Sequence, residues 1–389
     1  MLASPNKCTG CQACVSTCPT NSITMEIGNN SLHVYPVIND KTCINCGKCT
    51  KKCPQLQSNI FKNTIEKQKF YCAWSKDSFK RKLSTSGGVA SALYEEAINK
   101  GYSIVGAAFD EKWKLELRLS DDDRIIEKFR GSKYLQSESK DVYNEVLKEI
   151  KHGRHVFFVG TPCQIEAVKL IVPICYHEQL ITCGIICHGV NSPQVWEDYV
   201  AYLERKHKSR LTSYNFRSKA KGWGRLFVGY SFSNGKKYEE PAWKNIFHVW
   251  FGKHYILRES CFHCTYRVEN RNSDIVIGDF WGIDKIMPKL DSSEGISVVV
   301  TTSQKGESFV NSCFQIEEKI EVNGTEAKKV LKGYLDGQKE DVKEFQIQQN
   351  KIFANEYKSH SFSEIIKKYP CPTFISLLIA SLKHHLHIK

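Results

Sequence analysis

Residues 8–19 read CTGCQACVSTCP, and residues 43–54 read CINCGKCTKKCP. Both follow the pattern Cys-x2-Cys-x2-Cys-x3-Cys-Pro, and Cys43 stands 35 residues after Cys8. Three thiols at two-residue gaps wrap a loop around one face of an iron–sulfur cubane, sulfurs inward, with backbone N–H groups turned to the sulfides. The fourth thiol lies beyond the loop, opens a short helix and points elsewhere. In two-cluster ferredoxins it reaches the other cluster. The expected ligand sets therefore cross. Cys8, Cys11, Cys14 and Cys53 form one [4Fe–4S] set, and Cys43, Cys46, Cys49 and Cys18 form the second. Gly10 and Gly47 relieve crowding in the loops, and Pro19 and Pro54 end each run. Zinc is the competing reading, but it favours two widely separated Cys-x-x-Cys pairs over two complete four-cysteine runs.

The chain around these runs has 389 residues, 41% hydrophobic, 25% charged and 11% aromatic, enough for two or three domains with a large core. Its start lacks a charged segment leading into an apolar one, so a secretory leader is not expected. The apolar run Phe374–Leu382 is far short of the roughly 20 residues that span a membrane. A cytoplasmic location and no transmembrane segment are expected. In that reducing compartment, clustered cysteines read as metal ligands rather than disulfides. The formal charge of +13 counts every cysteine as neutral, and cluster-bound thiolates would lower it. Much of the excess suits a solvated lysine surface; the rest suits an acidic redox partner, an anionic cofactor or a phosphorylated substrate. No basic stripe with interleaved aromatics is present, so nucleic acid is not expected as a partner.

After the polar stretch Gln55–Gln68, read as a linker, strand and helix patterns alternate. Strands are expected at Phe70–Trp74, Ile104–Phe109, Leu115–Leu119, His155–Val159, Leu180–Cys187, Ser213–Arg217, Leu226–Phe232, Ile275–Gly278 and Ile296–Thr301. Helices are expected at Ser86–Asn99, Lys140–Lys151, Pro193–Lys206 and Trp243–Trp250, with another following Gly160–Pro162. The fold class is α+β with α/β. A small two-cluster ferredoxin domain over residues 1–58 precedes a larger α/β domain over 69–322 and a mainly helical segment over 323–389.

The larger domain carries a series of short motifs: Ser84-Thr85-Ser86-Gly87-Gly88, Gly131-Ser132-Lys133-Tyr134, Gly160-Thr161-Pro162-Cys163-Gln164, Cys187-His188-Gly189-Val190, Cys261-Phe262-His263-Cys264 and Asp274–Gly282. Taken in order, these resemble the family of coenzyme F-420 hydrogenase/dehydrogenase beta subunits, in its bacterial form with an N-terminal two-cluster ferredoxin domain. The resemblance covers roughly residues 1–310. It implies a flavin, usually FAD, so the α/β domain would be flavin-binding, and it implies a third [4Fe–4S] cluster. The expected flavin contacts are Ser84, Ser86, Gly87, Gly88, Ser132, Lys133, Tyr134 and Thr161. Read without the family, Ser84–Gly88 is a capped helix start with small residues and free N–H groups, which also suits a pyrophosphate. Lys133 would pair with a phosphate or the flavin ring; alone it reads as a surface lysine.

Cys163, Cys187, Cys261 and Cys264 are the expected ligands of the third cluster. Cys261 and Cys264 form a Cys-x-x-Cys pair, and Cys163 and Cys187 each follow a strand, where ligands collect in α/β sheets. Simple burial is the alternative for the last two. His188 and His263 read as neighbours of ligands, and Cys72, Cys175, Cys183, Cys313 and Cys371 as packing residues.

Clusters carry single electrons, and a flavin joins them to two-electron chemistry. The expected activity is therefore a flavin-dependent iron–sulfur oxidoreductase working between a ferredoxin-like donor and a substrate. The family's bacterial members often accompany surface-polysaccharide genes, which implies a sugar or lipid-linked sugar as one substrate class; a small molecule is the general case. A ferredoxin or a dehydrogenase subunit is the expected protein partner. Asp279 is a guess for a catalytic acid, and Arg217, Trp223 and Arg225 are candidate substrate contacts. The alternatives are a non-catalytic electron-transfer subunit serving a partner enzyme, and a redox sensor.

Overall fold

The protein is described from a computed structural model over residues 2–57, 68–266, 272–335 and 340–373. Most of the Gln55–Gln68 linker and the Phe374–Leu382 run lie outside the described residues.

The N-terminal region folds around an antiparallel hairpin, β1 (Ile23–Ile27) and β2 (Val34–Ile38), with Ile23 opposite Ile38. The two cysteine runs flank it, each ending in a four-residue helix, Ala13–Ser16 and Lys48–Lys51.

The body of the chain contains β3 (Lys69–Ser75), β4 (Ser103–Phe109), β5 (Leu115–Ser120), β6 (Val156–Gly160), β7 (Leu180–Ile185), β8 (Leu211–Ser218), β9 (Phe227–Phe232), β10 (Lys237–Pro241), β11 (Ile275–Asp279), β12 (Ser297–Thr301) and β13 (Ile316–Val322). Eight of these form one sheet in the order β13-β3-β12-β11-β7-β6-β4-β5. Its centre, β4, β6, β7 and β11, is parallel, and the flanking pairs are antiparallel. Helices cover both faces, so β6 is apolar and buried throughout (Val-Phe-Phe-Val), as a two-sided strand must be. Phe157 and Val159 join the core under the helices Val89–Asn99 and Gln304–Ser312. Val156 and Phe158 join the core under Val142–Lys151 and Pro162–Ile171, which also takes in Cys11 and Ala13.

The strands β10-β9-β8 form a separate antiparallel sheet. A second core of Trp196, Tyr199, Phe216, Phe247 and Trp250 lies over it, and Phe353 and Ile365 of the C-terminal helices Glu340–Ser359 and Phe362–Lys368 pack into this core. Among the described residues no helix is long and apolar enough to cross a membrane.

Asp274, at the entry to β11, ties the central strands together. Its Oδ2 accepts from the Thr182 N–H at 2.9 Å and from the Thr182 hydroxyl at 2.6 Å. Its Oδ1 accepts from the Ser303 hydroxyl at 2.7 Å. Burial alone would raise this carboxyl. Lys169, Lys305 and the two hydroxyls outweigh burial and hold it below the usual carboxylate range. Asp274→Ala would take the acceptor from the Thr182 N–H and the counter-charge from Lys305, so a loss of about 3–5 kcal/mol in urea unfolding is expected, with Asp274→Asn milder. A depressed carboxyl contributes above its unfolded value and loses that contribution only below it, near pH ~3.9. The difference from wild type should therefore stay constant between about pH 5 and pH 8.

Candidate functional site

Both cysteine loops place left-handed residues at the same two points. These are Gly10 (φ 67) and Gln12 (φ 62) in the first loop, and Asn45 (φ 52) and Gly47 (φ 69) in the second. Such alternation of handedness turns successive N–H groups to one side and makes a cradle for an anion. Cys8, Cys11, Cys14 and Cys53 line one pocket. Cys18, Cys43, Cys46 and Cys49 line another. Each pocket thus takes three thiols from one run and the fourth from the other. In the second, Cys18 Sγ receives the Ser22 N–H at 3.2 Å, and Cys46 and Ile44 are exposed. The first lies deeper, with Cys8 and Cys11 buried.

A third group of thiols forms behind the first. Cys163 sits in the opening turn of the helix after β6, Cys187 lies two residues past β7, and these two strands are hydrogen-bonded neighbours. The helix Glu259–Phe262 brings Cys261, with Cys264 just beyond. Burial pushes the Cys163 thiol up to about 11 and Cys261 up to about 12, and the charges of the other thiols in the group push the same way. Cys187 is raised by burial and then by Cys261, Cys163 and Cys264. All four cysteines are half-buried, and thiols whose charges oppose each other's ionisation suit a cationic iron core as their common counter-charge. Cys11 is raised by burial and in part by Cys163, so the first and third groups are in electrostatic contact. Among the described residues no three His, Cys, Asp or Glu side chains converge as ligands of a single metal ion. A cubane spreads its thiolates more widely, because each binds a different iron. None of the seventeen cysteines is in a disulfide. Cys183 faces the sheet core, away from this group.

Cys187 also belongs to the wall of a large cleft, about 1350 Å³ including its open mouth. The cleft opens at the C-terminal ends of β6, β7 and β11, where α/β sheets collect ligands. Ser84, Ser86, Gly88, Ser132, Lys133, Tyr134 and Thr161 all line it. Two helices begin on it, Val89–Asn99 after Gly88 and Pro162–Ile171 after Thr161. The Thr161 N–H and hydroxyl both donate to Gln164 Oε1 at 3.0 Å, which sets that helix start. Leu115, Leu117, Val159, Ile185 and Ile277 form an apolar stretch of the wall.

Four expected contacts take other roles. Gly87 is not on the cleft wall. A Cβ there would stand 2.6 Å from the Ala73 carbonyl and 2.9 Å from the Ser297 nitrogen, so the glycine is needed against the strands β3 and β12. Lys133 reaches the wall, but its ammonium donates to the carbonyls of Lys128, Phe129 and Arg130 at 2.7, 2.9 and 3.1 Å. Burial brings it down to about 7. Arg217 and Trp223 hold Asp279 rather than facing the opening. Arg217 pairs with its Oδ2 at 3.3 Å, and Trp223 donates to its Oδ1 at 3.2 Å while stacking on Trp281 at 4.4 Å. Asp279 itself lines the cleft.

Sequence reasoning missed several groups. Arg130 and Gln164 line the cleft, and His188, also on the wall, stands 2.8 Å from His254. The buried Arg258 contacts the first cysteine loop. Arg130, His254 and Arg258 carry no spacing signal; Gln164 and His188 lie inside the Gly160–Gln164 and Cys187–Val190 motifs, and His188 reads from the sequence only as the neighbour of a ligand.

Family models agree with this layout. Residues 70–143 match the N-terminal and residues 153–328 the C-terminal part of the coenzyme F420 hydrogenase/dehydrogenase beta subunit. Residues 7–56 and 35–100 match two 4Fe-4S dicluster domain models. A subunit of the F(420)H(2) dehydrogenase of Methanosarcina mazei is 30% identical over 188 residues, 46% of this chain and 53% of that protein. An uncharacterized protein of Methanocaldococcus jannaschii is 30% identical over 204 residues, 43% of this chain and 53% of that one. The chain thus spans about half the length of these curated relatives. A chain from a xenon-derivatized F420-reducing [NiFe] hydrogenase complex of Methanosarcina barkeri aligns with TM-score 0.46 and 19% identity, over 76% of this chain and 93% of that chain. With an iron–sulfur dicluster region leading into both the N- and C-terminal matches, the chain belongs to the family of coenzyme F420 hydrogenase/dehydrogenase beta subunits.

Proposed function

We propose that the protein is a flavin-dependent iron–sulfur oxidoreductase that passes electrons between a ferredoxin-like donor and a substrate, in the cytoplasm. The observation that carries this reading is the position of Cys187, which belongs both to the third thiol group and to the cleft wall. The Cys18 pocket, the deeper Cys8 pocket and the Cys163 group follow one another, and Cys187 joins that last group to the cleft. When bound, the clusters supply one-electron transfer, and the flavin supplies the exchange between one- and two-electron chemistry. The residues fit these groups: twelve thiols in three sets of four, and a cleft with a serine-rich end and an apolar end.

The chain's own part is to bind and orient. The helix start at Gly88, which has no side-chain cap, presents backbone N–H groups, and the starts at Gly88 and Thr161 together present the positive ends of two helix dipoles, which suit the FAD pyrophosphate. The apolar wall suits the flavin ring and excludes water from it. The Asp279 carboxylate on the cleft wall, fixed by Arg217 and Trp223, is the acid–base group of this proposal. The substrate class we propose is a small molecule, with sugars or lipid-linked sugars of surface-polysaccharide metabolism as the specific case implied by the family resemblance.

A second reading is an electron-transfer subunit that serves a partner enzyme. It is favoured by the relative in Methanosarcina mazei, itself named as a subunit. The two part on one measurement. Flavin-reduced protein, mixed anaerobically with a small-molecule acceptor and no partner, should be reoxidised if the chain is an enzyme in its own right; failure with every acceptor favours the subunit.

Protein purified without oxygen should carry about twelve irons, four for each cubane. Cys264→Ala should remove about four of them, and an unchanged iron count would leave a two-cluster protein. Cys18→Ala should weaken chiefly the EPR signal of the cluster in the Cys43 pocket, and equal loss of both signals would argue against crossed ligand sets. For the flavin, Ala90 offers a wall position that is half-buried and on the helix that opens at Gly88. Ala90→Trp should keep the iron and lose most of the yellow chromophore, whereas full flavin content would move the cofactor elsewhere.

A further inference from the structure

Arg258 is a fully buried cation that forms no salt bridge among the described residues; the carboxylate of Glu259, its neighbour in the chain, pairs with Lys351 at 3.3 Å instead. It caps the short helix that carries Cys261. Its Nε donates to the Cys8 carbonyl at 2.8 Å and its Nη2 to the Val34 carbonyl at 3.0 Å. Nη2 also stands 3.7 Å from Cys8 Sγ. The guanidinium lies over the Tyr35 ring, 4.5 Å from its centre. Nη1 is buried without a hydrogen-bond partner. It lies against Gly10, where a Cβ would come within 2.6 Å of it, so the loop glycine leaves room for the cation.

A buried charge without a counter-charge is strongly unfavourable. Backbone carbonyls satisfy two of its donors, yet they do not neutralise it. The negative charge within reach is that of the thiolates at Cys8 and its three companions. Here the inference rests on the reading above, that these four thiols hold a cluster.

We propose that Arg258 is a positioning residue that sets the reduction potential of the cluster held by Cys8, Cys11, Cys14 and Cys53. Reduction of a cluster held there would add one electron from its donor, making the site more negative by one charge. A fixed buried cation favours the more negative state, so it raises the potential of the inner cluster relative to the outer one. Net charge and hydrogen bonding to sulfur are the levers by which proteins tune such centres. The forked guanidinium also clamps the loop by holding the Cys8 and Val34 carbonyls together.

The test is an anaerobic redox titration followed by EPR on the full-length protein and on Arg258→Met and Arg258→Lys. In Arg258→Met the inner cluster should become at least tenfold harder to reduce in equilibrium terms, about 59 mV for one electron. The outer cluster should keep its midpoint, and Arg258→Lys should restore most of the shift. An inner midpoint that stays put in an iron-replete Arg258→Met protein overturns the proposal. Should that variant not load its iron, unaltered protein grown with guanidino-15N arginine decides the matter. Pulsed EPR of its reduced inner cluster should show a 15N coupling that Arg258→Lys lacks, and no coupling overturns the proposal. If Cys14→Ala removes no cluster signal at all, the cluster assignment falls and the inference with it, an outcome distinct from an unmoved midpoint.

Discussion

Three backbone carbonyls of the first cysteine loop end on side chains from the α/β body. Cys8 O accepts from Arg258, Gly10 O from Gln136, and Cys11 O from Ser139 and Tyr143. The cause lies in the loop itself. A loop that turns its N–H groups inward must turn carbonyls outward, and a buried carbonyl needs a donor. The donors come from two segments of the body, residues 136–143 and Arg258, so the loop's outward carbonyls are satisfied only when it is docked. The Asn144 amide, which donates to Ser16 O, and the Ser192 hydroxyl, which donates to Leu32 O, extend the same seam. Ferredoxin region and body are therefore one packed unit, and Cys11 comes to lie beside Cys163.

The sheet supplies the other half of the arrangement. The strands β6, β7 and β11 run parallel, so the chain leaves all three at one edge. Thr161 and Cys163 follow β6, Cys187 follows β7, and Asp279 ends β11. A thiol group and a cleft thus share an edge because parallel strands share a direction. Asp274, at the opposite end of β11, sets the register that brings those ends level.

Much of this was legible in the residues. The central strands and the long helices have clear periodicity, and their observed bounds differ from the expected ones by a few residues. The misses have physical causes. β2 contains Pro36, which argues against a strand in a window this short. β13 reads Ile-Glu-Glu-Lys-Ile-Glu-Val, and its charges suit the sheet edge it occupies while hiding it from a hydrophobic scan. β8 and β9 were read as strands, but alternation along a chain does not reveal that they leave the main sheet for one of their own.

The sequence by itself determined the two crossed cysteine sets, because spacings of two and three residues act through the chain's own geometry and need no distant partner. It also marked most of the segments that meet at the cleft. Only the tertiary structure decided what each residue there faces. Gly87 turns to the strands, Lys133 spends its ammonium on three carbonyls, and Arg217 holds Asp279. Cys163 and Cys187, expected from their motifs, lie at one sheet edge because β6 and β7 are parallel neighbours. The place of Arg258, 250 positions from the loop it contacts, followed from docking. Such contacts depend on how elements pack, and no local pattern encodes that.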